Sequence, residues 1–96
     1  MQLHFTSRNL ELTPALKTHT EEKFQRLERR HANIASVNII LQIENLTHIA
    51  EATITLNGTN IHATAESTDM YIAIDELVDK LISQITKHKE KTSGHR

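Results

Sequence analysis

Eleven Lys and Arg, twelve Asp and Glu and seven His are the side chains of this 96-residue sequence that can do chemistry, and they are unevenly spread. Residues 1–30 carry a net charge of +2, residues 31–79 hold seven acids and no Lys or Arg (−7), and residues 80–96 return to +4. The overall charge of −1 therefore hides two cationic clusters. Clusters, not the mean, decide binding to a polyanion, because each phosphate contact releases counterions locally. Arg presents a bidentate fork to phosphate and Lys a point charge. At helical spacing Lys80, Lys87 and Lys91 share one flank of a C-terminal helix that also carries Lys89. Lys23, Arg26 and Arg30 share a flank of an N-terminal helix, with Lys17 and Arg29 as secondary candidates. Two helices side by side would merge these flanks into one positive surface. A plainer reading is that Lys near a helix C-terminus complements the dipole. The cation-free stretch of 31–79 favours the nucleic-acid reading.

The remaining reactive types do not assemble. The histidines (His4, His19, His31, His48, His62, His88, His95) include no HxxxH or HExxH pair, and there is no Cys to complete a metal set. His88 falls on an apolar stripe and reads as a half-buried, satisfied ring. Asp75, Glu76 and Asp79 resemble an acid/base group in spacing only. Asp75 and Asp79 are expected to point away from the apolar stripe into solvent, where no pocket shifts a pKa. Two glycines cannot build a phosphate-cradling loop, and no nucleophile elbow or Ser/His/Asp grouping is present. No enzymatic activity, cofactor or metal is expected.

The elements that must position the cations follow from periodicity. Gln2–Ser7 alternates as a strand with Leu3 and Phe5 inward. Thr13-Pro14 starts a helix that runs to about Ala32, its inner stripe Leu16, Thr20, Phe24, Leu27 and His31. Ser36–Glu44, His48–Leu56 and Thr59–Glu66 alternate again, the last two joined at Asn57-Gly58, a pair suited to a type I′ turn. Ser67, Thr68 or Asp69 caps a helix over Asp69–Lys91, whose Met70, Ile74, Leu77, Val78, Leu81, Ile82 and Ile85 lie on one face. The order is β-α-β-β-β-α, an α+β class: a four-stranded mixed sheet with two helices packed on one face. The inward Ala50, Ala52, Ala63 and Ala65 leave room for the helices over the middle of the sheet. One domain is expected over residues 1–91, with 92–96 a flexible tail.

Composition narrows the partners further. With no Trp, one Tyr and two Phe, stacking on single-stranded bases has little to work with. The absence of Cys fits a reducing cytoplasm. No secretory signal or membrane-length apolar run is seen, so a cytoplasmic protein is expected.

Three segments resemble a known family: MQLHFTSRNLELTPALK at the start, ATITLNGTNIHATAES in the hairpin and DMYIAIDELVDKLISQITKHKEK at the end. They are similar to the ribosome hibernation promoting factors, also called ribosome-associated inhibitor or sigma-modulation proteins. The likeness spans Met1 to about Lys91, and the run DMY-x-AID-x-L-x-DKL-x-x-Q-x-x-KHK is its specific part. The resemblance implies the β-α-β-β-β-α fold and binding to the small ribosomal subunit and its rRNA, in the mRNA/tRNA channel at the decoding region. It implies a block on translation in stationary phase or starvation, and pairing of idle ribosomes in functional partnership with ribosome modulation factor. No membrane or DNA partner is expected, and the protein is expected to be a monomer off the ribosome. The rRNA contacts would be Lys23, Arg26, Arg30, Lys80, Lys87, Lys89 and Lys91, with Lys17 and Arg29 weaker.

Long members of that family add a C-terminal dimerisation domain, and the related inhibitor carries an acidic tail. This sequence ends Lys91-Thr92-Ser93-Gly94-His95-Arg96, short and basic, which sorts it with the short members. Where relatives often place Arg in the DKL-x-x-Q run, Ser83 stands here, one phosphate contact fewer. An alternative reading is a stand-alone module for structured or double-stranded RNA. A third is a protein-interaction module using the open sheet face, which Thr53, Thr55, His62 and Thr64 make polar.

Overall fold

The computed structural model describes the backbone of residues 1–93 and the side chains through 88. Strand β1 (Gln2–Arg8) leads into helix α1 (Pro14–Arg30), followed by β2 (Ile34–Glu44), β3 (Thr47–Leu56), β4 (Thr59–Ser67) and helix α2 (Met70–Ser93). The sheet order is β1-β2-β3-β4. β1 runs parallel to β2, and the two following pairings are antiparallel. This is the expected α+β arrangement.

Local chemistry accounts for the element ends. The Thr13 hydroxyl accepts the Leu16 amide at 3.2 Å, and Pro14 opens α1 where no N–H is needed. Of the three candidate caps for α2, Asp69 takes the role: its carboxylate accepts the Tyr71 amide at 2.8 Å and its carbonyl the Ala73 amide at 3.0 Å. Asn57 and Gly58 both have positive φ, 52° and 77°, as a type I′ turn requires. The β2–β3 link is a second two-residue turn, with Asn45 at φ 57° and Glu44 paired to Thr47. β2 begins two residues before the alternation predicts. A register shift between Ile34 and Ser36 inserts Ala35, so the even-numbered Ile34 joins Val37, Ile39 and Leu41 on the core face.

The core lies between the sheet and both helices. Leu16, Thr20, Phe24 and Leu27 of α1 and Met70, Ala73, Ile74, Leu77, Val78, Leu81 and Ile85 of α2 are buried. α2 packs on β3 and β4. There Ala50 faces Ala65 and Ala52 faces Ala63, so the helix rides over four methyl groups. α2 extends to Ser93, into the stretch expected as a tail; residues 94–96 lie outside the described residues.

Candidate nucleic-acid interface

The two helices lie side by side and run in the same direction. Successive cross-helix contacts rise together in sequence: His19 Nε2 meets Asp75 Oδ1 at 2.9 Å, Lys23 Nζ the same oxygen at 3.7 Å, and Arg26 Nη2 meets Asp79 Oδ1 at 3.3 Å. The His19 ring also stands edge-on to Tyr71, centroids 4.8 Å apart. The stripe on α1 thus faces an acidic stripe on α2. This corrects the expectation that Asp75 and Asp79 simply point into solvent. Their shared flank on α2 carries the same helical spacing as His19, Lys23 and Arg26 on α1, and parallel helices bring the two into register. That matched spacing was the available signal.

The expected merging of cationic flanks does not occur. Lys80 Nζ donates to the Thr64 carbonyl of β4 at 2.7 Å, on the side of α2 away from α1. Lys87 lines a groove on that side with Thr59, Asn60, Ile61, His62, Gln84 and His88. Between this flank and the α1 seam, α2 presents Ile72, Glu76 and Ser83, all exposed. Helical geometry is the reason: at about 100° per residue Lys80 and Lys87 sit roughly 120–140° around the helix from Asp75 and about 80–100° from Asp79. Lys17 lies elsewhere again, its Nζ 5.9 Å from the centroid of Phe5. It lines a cavity of ≈ 450 Å³ with Glu21 and Glu28, and Glu28 holds the Met1 ammonium at 3.1 Å.

What the fold does bring together is the far pole. α1 ends four residues after Arg26, whereas α2 continues fourteen residues past Asp79. At 1.5 Å per residue α2 therefore overhangs α1 by roughly 15 Å. Arg29 and Arg30 in the last turn of α1 are exposed and meet no carboxylate among the described residues. Lys87 is likewise exposed on the overhang. The side chains of Lys89 and Lys91 lie outside the described residues. Lys23 and Arg26 are partly neutralised by their partners, but such exposed pairs are worth little and a phosphate can displace them.

No cluster of three or more His, Asp or Glu suited to a metal occurs among the described residues. No helix of the described residues is long and apolar enough to cross a membrane.

The family model described as sigma 54 modulation protein / S30EA ribosomal protein matches residues 3–93. Ribosome hibernation promoting factor of Salmonella typhimurium is 47% identical over 95 residues, covering 99% of this chain and all of the relative. The Escherichia coli K12 protein of the same name matches at the same identity and coverage. Among solved structures, a ribosomal subunit interface protein from Coxiella burnetii superposes with a TM-score of 0.88 at 37% identity, over 93% of this chain and 98% of that one. The N-terminal domain of Thermus thermophilus Protein Y follows at 0.79 and 31% identity, over 91% and 94%.

Proposed function

This chain belongs to the sigma 54 modulation protein / S30EA ribosomal protein family, and from that premise we propose that it is a ribosome hibernation factor acting in the cytoplasm. It binds the small ribosomal subunit through rRNA in the mRNA/tRNA decoding channel, blocks translation by occupancy and promotes ribosome dimerisation alongside ribosome modulation factor. It acts without catalysis and without a cofactor. The observation that carries this reading is the pole where α2 overhangs α1, with Arg29, Arg30 and Lys87 exposed and unopposed among the described residues. Lys89 and Lys91 continue the same helix.

Lys23, Arg26, Arg30, Lys80, Lys87, Lys89 and Lys91 form the proposed contact set, with Lys17 and Arg29 secondary. Such contacts read the backbone and shape of RNA, because side chains cannot enter its deep, narrow major groove. Seven neutralised phosphates give a slope of about −5 for log affinity against log salt. Filter binding to purified small subunits across a salt series measures it. A salt-insensitive affinity would overturn the proposal. Transfer RNA bound to the subunit should displace the protein; survival of binding under saturating transfer RNA would favour a general structured-RNA binder.

A further inference from the structure

The two outer edges of the sheet are built differently. Beside β4, Lys80 covers the Thr64 carbonyl, a charged guard of the kind that keeps strand edges from pairing. β1 pairs with β2 alone among the described residues, so its other edge is open. Along that edge runs the cavity of ≈ 450 Å³ between β1 and α1. Met1, Leu3, Phe5 and Leu12 give it an apolar floor, and each of them is only partly buried. Lys17, Glu21, Gln25 and Glu28 form its wall. At about 100° per residue this wall lies on the side of α1 away from Lys23 and Arg26, which face α2.

Two contacts align the wall with the strand. The Met1 ammonium meets Glu28 Oε2 at 3.1 Å, and Lys17 Nζ stands 5.9 Å from the centroid of Phe5. α1 therefore runs antiparallel to β1, with Glu28 over Met1, Lys17 over Phe5 and Leu3 midway. A two-fold axis beside Leu3 would set Leu3 against Leu3 of a second copy, and Phe5 against its Met1. Odd positions then meet odd positions, which keeps the apolar side chains on one face of the joined sheet. The same axis brings Lys17 beside Glu28 of the second copy, and Glu21 beside its Gln25. Symmetry repeats each pair, so opposite charges close both ends of the contact. Sliding the strands by two residues would move Lys17 about 6.6 Å from that Glu28, so the charges select one register.

We infer that the open edge of β1 and the α1 flank above it bind a second copy of this chain. The two β1 strands pair antiparallel and join two four-stranded sheets into one of eight. A strand from another protein would have to bring a matching cation and anion at this spacing, whereas a second copy carries both by symmetry. A short strand pair with one helix flank on each side falls below about 1,200 Å² of buried surface, the weak end of specific interfaces. The dimer therefore forms at about 100 μM, and the monomer expected from the sequence is the dilute state.

Sedimentation equilibrium of the purified chain, from about 10 μM to about 1 mM, measures the association. The parent should pass from monomer to dimer. Lys17→Glu and Glu28→Lys should each remain monomeric, because each sets like charges against one another twice. Mixing the two variants should restore a heterodimer, in which both pairs are again opposite in sign. The chain has no cysteine, so a single Leu3→Cys gives an independent readout. Paired strands hold facing Cα atoms about 4.5–5.5 Å apart, within reach of a disulfide. Mild oxidation should therefore link Leu3→Cys into dimers at least tenfold faster than Gln84→Cys, an exposed site on α2. A parent that stays monomeric at the highest concentration would overturn the inference and leave the groove to a strand of another protein. A dimer that both charge variants preserve, with Leu3→Cys no faster than Gln84→Cys, would place the contact on another surface and overturn it as well.

Discussion

Asp79 shows how much a single residue's meaning depends on its neighbour. Its carboxylate holds Arg26 at 3.3 Å, with the two side chains 66% and 43% exposed. An ion pair this open contributes little stability, yet it occupies the guanidinium fork that a phosphate would use. Asp79→Asn should therefore leave urea-induced unfolding nearly unchanged. It should also raise affinity for small subunits two- to threefold and steepen the salt slope by roughly 0.7–0.9, the contribution of one more phosphate contact. Weaker binding would show instead that the pair holds Arg26 in place. From the sequence, Asp79 read as a solvent-facing charge because the wheel of one helix says nothing about the next. Most core residues were legible at this scale. Phe24, Leu27, Ile74 and Leu77 have no exposed surface, as their periodicity predicts, whereas Ala73 joins the buried face without having been expected there.

Elements were legible wherever local chemistry sets their ends. The Thr13-Pro14 start of α1 and the Asn57-Gly58 turn follow from side chains that act within three or four residues. The start of β2 was not, since the extra residue Ala35 breaks the two-residue period on which a strand is recognised. The facing alanines under α2 set how closely that helix approaches the sheet. Ala52 is 1% exposed and pairs with Ala63. Ala52→Leu should destabilise the fold by about 1–3 kcal/mol through overpacking, read from the denaturation midpoint. It should also lift α2 and so weaken subunit binding without changing any charge. An unchanged midpoint would show that α2 has slack above the alanines.

For the whole molecule, the parallel run of the two helices places both C-termini, and the Asn57-Gly58 turn, at one pole. Arg30 and Lys87 belong to that pole by topology, although they are 57 positions apart in the chain. Arg30→Glu with Lys87→Glu should flatten the salt slope for small-subunit binding by about 1.4–1.8 while leaving thermal unfolding unaltered. A large drop in affinity at an unchanged slope would point to a lost shape fit.

The sequence by itself determined the α+β class, the element order, the two apolar helix faces and the existence of two cationic clusters. All of these follow from spacing along one chain segment. Only the tertiary structure decided which charges meet. It set Lys23 and Arg26 against Asp75 and Asp79, turned Lys80 and Lys87 toward β4, and left Arg29 and Arg30 open beside the overhanging end of α2. The reason is geometric: a helical wheel fixes the angles between side chains on one helix. Which flank faces a neighbour, and in which direction that neighbour runs, is set by how both helices cross the sheet.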